Sequence, residues 1–184
     1  MSSRRDQVQQ RKREVRRRYR EARSRIDPAE RDAASDRIAE HVARAHWFRS
    51  SRLIACYLSM SDEVATWPII ERAWRMRKRV FAPICGNDRL LRFCEVRRET
   101  ELARSDYGLL EPVDGETIEP KRLDLVLMPL VAFDADRGRI GMGGGYYDKT
   151  FSFLRNRSTF LKPKLVALRS PARKRNAWKK TLGI

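Results

Sequence analysis

Residues 4–25 contain no Gly or Pro and are dominated by arginine, glutamine and glutamate, a composition that favours helix. Apolar positions there are sparse: Val8, Val15, Tyr19, Ala22 and Ile26 form one narrow stripe that can pack while arginines cover the rest. Asp27-Pro28 restarts a helix, with Asp27 as N-cap, Pro28 at the first helical position and Glu30 at the third, and the pattern predicts that it runs to about Trp47. A short apolar run over 52–58, the polar stretch Ser59-Met60-Ser61-Asp62-Glu63 and a helical pattern over 66–77 make a strand, loop, helix unit. Segments 79–82, 90–96 and 123–128 supply further strands, the last of the near-continuous apolar kind buried on both faces of a sheet, and 164–168 reads as one more. Strands alternating with helices predict an α/β layer fold with a mainly parallel sheet, and no internal repeat is visible.

Length and charge refine this picture. At 184 residues with 41% apolar content, the chain can bury one sizeable core, so a single domain spanning 1–184 is expected. No apolar run is long enough to span a bilayer and the arginine-rich N-terminus lacks a secretory signal's apolar stretch, so no membrane partner and a cytoplasmic location are expected. The net charge of +17 sits at the ends. Residues 1–25 carry eleven Lys/Arg against Asp6, Glu14 and Glu21, and residues 149–184 carry eleven Lys/Arg and no carboxylate side chain, while 26–148 is close to neutral. That distribution reads as a basic N-terminal helix and a basic tail on a neutral core rather than as a nucleic-acid recognition face. Nucleic-acid binding through those ends, with Tyr19 and Trp178 as stacking residues, is the weaker alternative. Cys56, Cys85 and Cys94 show no CxxC spacing and read as free thiols rather than metal ligands.

The strongest chemical signal runs from Asp134 through Gly138, Arg139, Ile140, Gly141, Met142, Gly143, Gly144, Gly145, Tyr146 and Tyr147 to Asp148, after the buried strand and before a helical stretch. Four glycines in five positions leave consecutive N–H groups free to face an anion, and a following helix would add its positive end. The spacing is neither a Walker A motif nor the usual dinucleotide fingerprint, and on glycines alone a tight strand-to-helix turn accounts for it equally well. The neighbours favour a ligand: Arg139 can face phosphate, Tyr146 and Tyr147 offer flat faces and hydroxyls, and Asp148 can hold Mg²⁺. His41 and His46 lie on a charged helix and no Gly-x-Ser-x-Gly occurs, so no hydrolase triad is in view.

Taken whole, the string from Phe133-Asp134 and Gly138 to Asp148 resembles the hallmark of the 5-formyltetrahydrofolate cyclo-ligase family. The resemblance implies a three-layer α/β/α fold of the NagB/RpiA/CoA-transferase-like kind and conversion of 5-formyltetrahydrofolate and ATP to 5,10-methenyltetrahydrofolate, ADP and phosphate through a phosphorylated formyl intermediate. It further implies that residues from Arg139 to Tyr147 bind ATP phosphates and part of the folate, with Met142 and Tyr146 on the folate, and that Asp148 holds Mg²⁺. Leu58 to Glu63 is similar to the family's strand-end motif, which implies that Leu58 and Glu63 contact folate; a carboxylate suits adjacent pterin N–H donors, although Glu63 could equally cap the next helix. Lys12, Arg13, Glu14, Val15 and Arg16 resemble the family's Lys-x-x-x-Arg stretch, implying a phosphate contact for Lys12 and a phosphate or substrate contact for Arg16, with a register open by one turn in so arginine-rich a segment. Lys12, Arg139 and Tyr147 are the implied catalytic residues.

The resemblance covers about residues 8–168. Beyond it the family continues with an aspartate-containing segment, whereas residues 170–184 here are basic and without a carboxylate side chain, as expected of a truncated or frame-changed C-terminus. A catalytically impaired folate- and ATP-binding relative is therefore the alternative reading. The implied partners are 5-formyltetrahydrofolate, in simple or polyglutamylated form, and Mg·ATP; a monomer is expected.

Overall fold

The computed structural model describes residues 3–133, 139–155 and 161–168, except for the side chains of Arg5, Phe133 and Arg139. The Arg139 side chain, the stretch 134–138 of the glycine-rich string and the tail 170–184 therefore lie outside the described residues.

The chain opens with α1 (Arg4–Ser24), started by a capping box in which the Ser3 hydroxyl accepts from the Asp6 N–H and the Asp6 carboxylate accepts from the Ser3 N–H. Helix α2 (Pro28–Arg44) begins where Asp27 accepts from the N–H groups of Ala29 and Glu30. It ends three residues before the predicted limit. Ala45 adopts extended backbone, and the remainder forms the separate turn α3 (His46–Arg49), which drives Phe48 fully into the core.

Strands β1 (Leu53–Cys56), β2 (Arg79–Cys85), β3 (Leu91–Glu95), β6 (Thr117–Ile118), β7 (Leu125–Met128) and β10 (Lys164–Ala167) make one sheet in the order β10-β7-β1-β2-β3-β6. The run from β10 to β2 is parallel; β3 and β6 close the other edge antiparallel. Helix α4 (Trp67–Arg75) is the crossover from β1 to β2. Two small ribbons, β4 (Leu102–Arg104) with β5 (Leu110–Pro112) and β8 (Ala132–Phe133) with β9 (Arg139–Ile140), stand apart, and the five-residue α5 (Tyr146–Thr150) follows the glycine loop.

The period of two along the strands sorts the core into two layers. Ile54, Cys56, Val80, Ala82, Leu125 and Leu127 pack with Val42, Phe48, Ile69, Ile70 and Ala73 of α2, α3 and α4. Ala55, Phe81, Phe93, Val126 and Met128 pack on the opposite face against Phe151 and Leu154, next to α5. Helix, sheet and helix thus form three layers, the second helical layer being thin among the described residues. Cys56 and Cys94 are buried and Cys85 is half-buried, all as free thiols, and burial pushes Cys56 up to about 12.

This topology fixes where a ligand can enter. The connection from β1 leads to β2 on one side, while the chain after β7 leads to β10 on the other, so the carboxyl ends of β1 and β7 part and leave a crevice. No described helix is long and apolar enough to cross a membrane.

Candidate functional site

At that switch point lies a cleft enclosing about 190 Å³. Its floor is formed by Tyr57 and Leu58 after β1, Pro83 and Cys85 of β2, and Pro129 after β7. Leu109 and Leu110 form one wall, and Arg16 of α1 closes the mouth opposite the glycine loop, from which Gly141, Met142, Gly143, Gly144 and Gly145 face inward with Tyr146, Tyr147 and Asp148. An apolar floor with a few convergent polar groups is the usual form of a small-molecule site. The glycine loop and the strand-end motif, 80 residues apart in sequence, therefore share one cavity.

The loop keeps its shape by backbone conformations that side chains resist. Gly143 has φ +118° and lies against the Arg16 guanidinium, so that a Cβ there would stand 3.5 Å from Arg16 Cζ; Gly145, at φ +73°, turns the chain into α5. Since α5 is little more than one turn, its macrodipole adds little, and an anion-binding role rests on the loop N–H groups and nearby arginines rather than on a helix terminus. Arg16 Nε donates to the Gly141 carbonyl at 2.9 Å, and Arg20 Nη2 reaches Met142 Sδ at 3.6 Å. Burial, together with the neighbouring charges of Arg20 and Arg13, lowers the Arg16 pKa. Arg13, Arg16, Arg17 and Arg20 line a second depression against Met142 and Gly143. Helix α1 is thus part of the cavity wall, because Arg16 and Arg23 turn inward and spend their hydrogen bonds there.

Glu63 lines the cleft and is only 7% exposed. Its Oε2 accepts from the Met60 N–H at 3.2 Å and its Oε1 stands 3.5 Å from Arg23 Nη1. Burial pushes its pKa up, against the opposing pull of Met60 and Arg23. Helix α4 is not capped by it: Thr66 precedes that helix without a side-chain cap bond, and the Thr66 hydroxyl donates instead to the Tyr57 carbonyl. Tyr146 donates from its hydroxyl to that of Tyr107 at 3.1 Å, which raises the Tyr146 pKa to about 12, and the two rings meet edge to face. Tyr147 stacks on Phe151.

Of the residues singled out in the sequence, the fold brings together Arg16, Leu58, Glu63, Gly141 to Asp148. Arg13 lines the adjoining depression, while Lys12, Glu14, Val15 and the buried Ile140 line neither cavity. Lys12 stands one helical turn before Arg16 on the same face of α1. Sequence reasoning missed Arg23, hidden among other arginines; the segment Tyr107 to Pro112, which resembles a family segment and reads as structural from sequence, places Leu109 and Leu110 in the cleft wall. Among the described residues no cluster of three or more His, Cys, Asp or Glu could cage a metal ion. Asp148 offers one carboxylate at the loop, the donor set that suits Mg²⁺ shared with a nucleotide's phosphates and water rather than a protein cage.

Residues 8–171 match the 5-formyltetrahydrofolate cyclo-ligase family. The 5-formyltetrahydrofolate cyclo-ligase of Haemophilus influenzae is 31% identical over 129 residues, covering 68% of this chain and 69% of that protein. That of Escherichia coli K12 is 40% identical over 104 residues, a stretch that spans 53% of this chain and only 56% of the E. coli protein. Among solved structures, the Aquifex aeolicus 5,10-methenyltetrahydrofolate synthetase superposes with a TM-score of 0.73 at 25% identity, covering 91% of this chain and 84% of its own. The corresponding Mycoplasma pneumoniae synthetase gives 0.61 at 22% identity, covering 88% and 92%, a likeness of fold.

Proposed function

Because the chain belongs to the 5-formyltetrahydrofolate cyclo-ligase family, we propose that its cleft converts 5-formyltetrahydrofolate and ATP to 5,10-methenyltetrahydrofolate, ADP and phosphate. The observation that carries this reading is the convergence of a buried carboxylate, an apolar floor and a glycine loop flanked by arginines in one cavity. Glu63 accepts from adjacent N–H donors of the pterin, and Leu58, Met142 and Tyr146 pack on the ring. Arg16 and the loop N–H groups hold the ATP phosphates, with Lys12 reaching them from the preceding turn of α1. Arg139 is assigned to phosphate by its place in the motif alone.

The formyl oxygen attacks the γ-phosphorus and ADP leaves. N10 then attacks the activated formyl carbon, phosphate departs with the former formyl oxygen, and the N10 proton is lost as the ring closes. Such phosphoryl transfer asks for alignment and charge neutralisation rather than a protein nucleophile, consistent with a cleft of donors and cations. Asp148 would hold Mg²⁺, which supplies further charge neutralisation on the phosphates. Tyr147, stacked on Phe151 beside the loop, keeps water from the reacting centre.

The test is direct: purified chain, 5-formyltetrahydrofolate and Mg·ATP should give the absorbance of the methenyl product with one ADP per product, and omission of any component should abolish it. Ligand binding without product would leave a non-catalytic relative.

A further inference from the structure

The basic helix α1 reaches the cleft twice. Its Arg16 meets the glycine loop, and two turns later Arg23, at 7% exposure, passes beneath the strand-end loop to Asp62 and Glu63. The geometry there is unequal. Asp62 Oδ2 accepts from Arg23 Nε at 2.8 Å and forms an ion pair with Nη2 at 2.7 Å, two contacts that fix the guanidinium plane. That grip leaves the Nη1 edge turned toward Glu63 Oε1, 3.5 Å away, while the Met60 N–H holds the other carboxylate oxygen.

We propose that Arg23, anchored by Asp62, is a positioning residue that holds the Glu63 carboxylate in the orientation in which it accepts from the adjacent N–H donors of a bound pterin. The inference deepens the functional reading above and rests on it. The 3.5 Å separation is long for a charge-assisted pair, so Arg23 steadies Glu63 without saturating it, and Glu63 keeps acceptor capacity for a ligand.

A consequence in pH follows. The charged and titratable groups around Glu63 are Arg23 and Arg16 from α1, Asp62 beside it, Tyr57 at the end of β1, and Tyr146, Tyr147 and Asp148 across the cleft. Of these, Arg23 is the cation in contact with Glu63, and it opposes the upward push of burial. Replacing Arg23 by a neutral side chain therefore raises the Glu63 value further and widens the acid range in which the acceptor is protonated and folate affinity is lost; rising pH restores the carboxylate and much of the affinity.

The experiment uses the full chain as wild type, Arg23→Gln, Arg23→Lys, Glu63→Gln and the double variant, with dissociation constants for 5-formyltetrahydrofolate and for ATP measured by calorimetry from about pH 6 to about pH 9. Arg23→Gln should weaken folate binding about tenfold at neutral pH and leave ATP within about twofold, with the folate deficit narrowing toward alkaline pH; Arg23→Lys should recover part of the loss. In a Glu63→Gln background, Arg23→Gln should add little, since it acts through the same carboxylate. A loss that is equal for both ligands and flat in pH, or that adds fully in the double variant, would mean that Arg23 only docks α1 and would overturn the proposal. If Arg23→Gln fails to fold, Arg23→Lys, which keeps the cation but loses the guanidinium fork held by Asp62, carries the same expectations at smaller size.

A ligand-free readout separates this inference from the functional reading. In protein carrying ¹³C at glutamate carboxyls, with the Glu63 signal assigned by its absence in Glu63→Gln, the Arg23→Gln titration midpoint should lie above the wild-type one and that of Arg23→Lys, which keeps a cation, between the two. Unmoved midpoints overturn the inference whatever the ligand, whereas moved midpoints in a protein that binds no folate would sink the functional reading alone.

Discussion

Two glutamates of nearly equal burial, Glu63 at 7% and Glu95 at 6%, meet arginines in opposite ways. At the antiparallel edge of the sheet, Glu95 takes Arg79 through both oxygens at 2.8 and 3.0 Å and Arg97 at 2.9 Å, while Arg79 also reaches Glu116 at 2.7 Å. The Arg79 fork holds the Glu95 pKa below its ordinary value. At the cleft, Glu63 has one backbone N–H at 3.2 Å and one cation at 3.5 Å, and burial drives it upward. A carboxylate whose partners saturate it stabilises the fold and has little left to offer a ligand. One that is buried and underpaired costs stability and keeps acceptor capacity, as the proposed pterin contact requires.

The sharpest way to separate the two regions is to spoil the loop that faces Glu63 across the cleft. Gly143→Val places a branched side chain at φ +118° beside Arg16, in the proposed phosphate cradle, and turnover should fall on the order of 10²-fold or more, while backbone strain of about 1–3 kcal/mol lowers the melting temperature by several degrees without unfolding the chain. Steady-state kinetics beside thermal melts check this; near-normal kcat/KM would place the phosphate cradle elsewhere.

Next in size, Glu63→Gln should weaken 5-formyltetrahydrofolate by about 1.5–3 kcal/mol and ATP hardly at all, as read by calorimetry for the two ligands separately. Glu95→Gln should do the reverse, costing about 1–2 kcal/mol in denaturant unfolding with unchanged folate affinity. If both substitutions struck stability and binding alike, the division into a structural and a ligand-facing glutamate would collapse.

The smallest effects are in pH, and they carry opposite signs. The Glu95 pKa is depressed in the fold, so its contribution is fully present above the unfolded value near 4.3 and is lost as pH falls through the folded value. The gap in unfolding free energy between wild type and Glu95→Gln should therefore stay level from neutral pH to about 5 and close in acid. The Glu63 pKa is raised, so its ionisation penalises the ligand-free fold as pH climbs through the unfolded value toward the folded one. That penalty should appear as a wild-type stability falling slightly relative to Glu63→Gln over the same climb.

Much of the sheet was legible because its strands are short, nearly continuous apolar runs, and all six predicted elements of β1, β2, β3, β7, β10 and α4 appear within a few residues of their expected limits. The ribbons β4 with β5 and β8 with β9 were not, since three-residue and two-residue strands carry too few positions for periodicity to register. At the site, the glycine string and Glu63 announced themselves by composition and by motif. Arg23 could not, because nothing in a run of arginines says which one turns inward; that follows only from the angle at which α1 crosses the cleft. The helix break at Ala45 escaped for a similar reason, as no Gly or Pro marks a turn that the burial of Phe48 imposes.

The most direct measurement of the central claim follows one oxygen atom. With 5-formyltetrahydrofolate labelled with ¹⁸O in the formyl group, unlabelled Mg·ATP and the wild-type chain, the account predicts that the inorganic phosphate released carries one ¹⁸O per methenyl product formed, because the formyl oxygen attacks the γ-phosphate and leaves with it. Methenyl product accompanied by unlabelled phosphate would show that ATP is hydrolysed without activating the formyl group, and would contradict the chemistry assigned to this cleft.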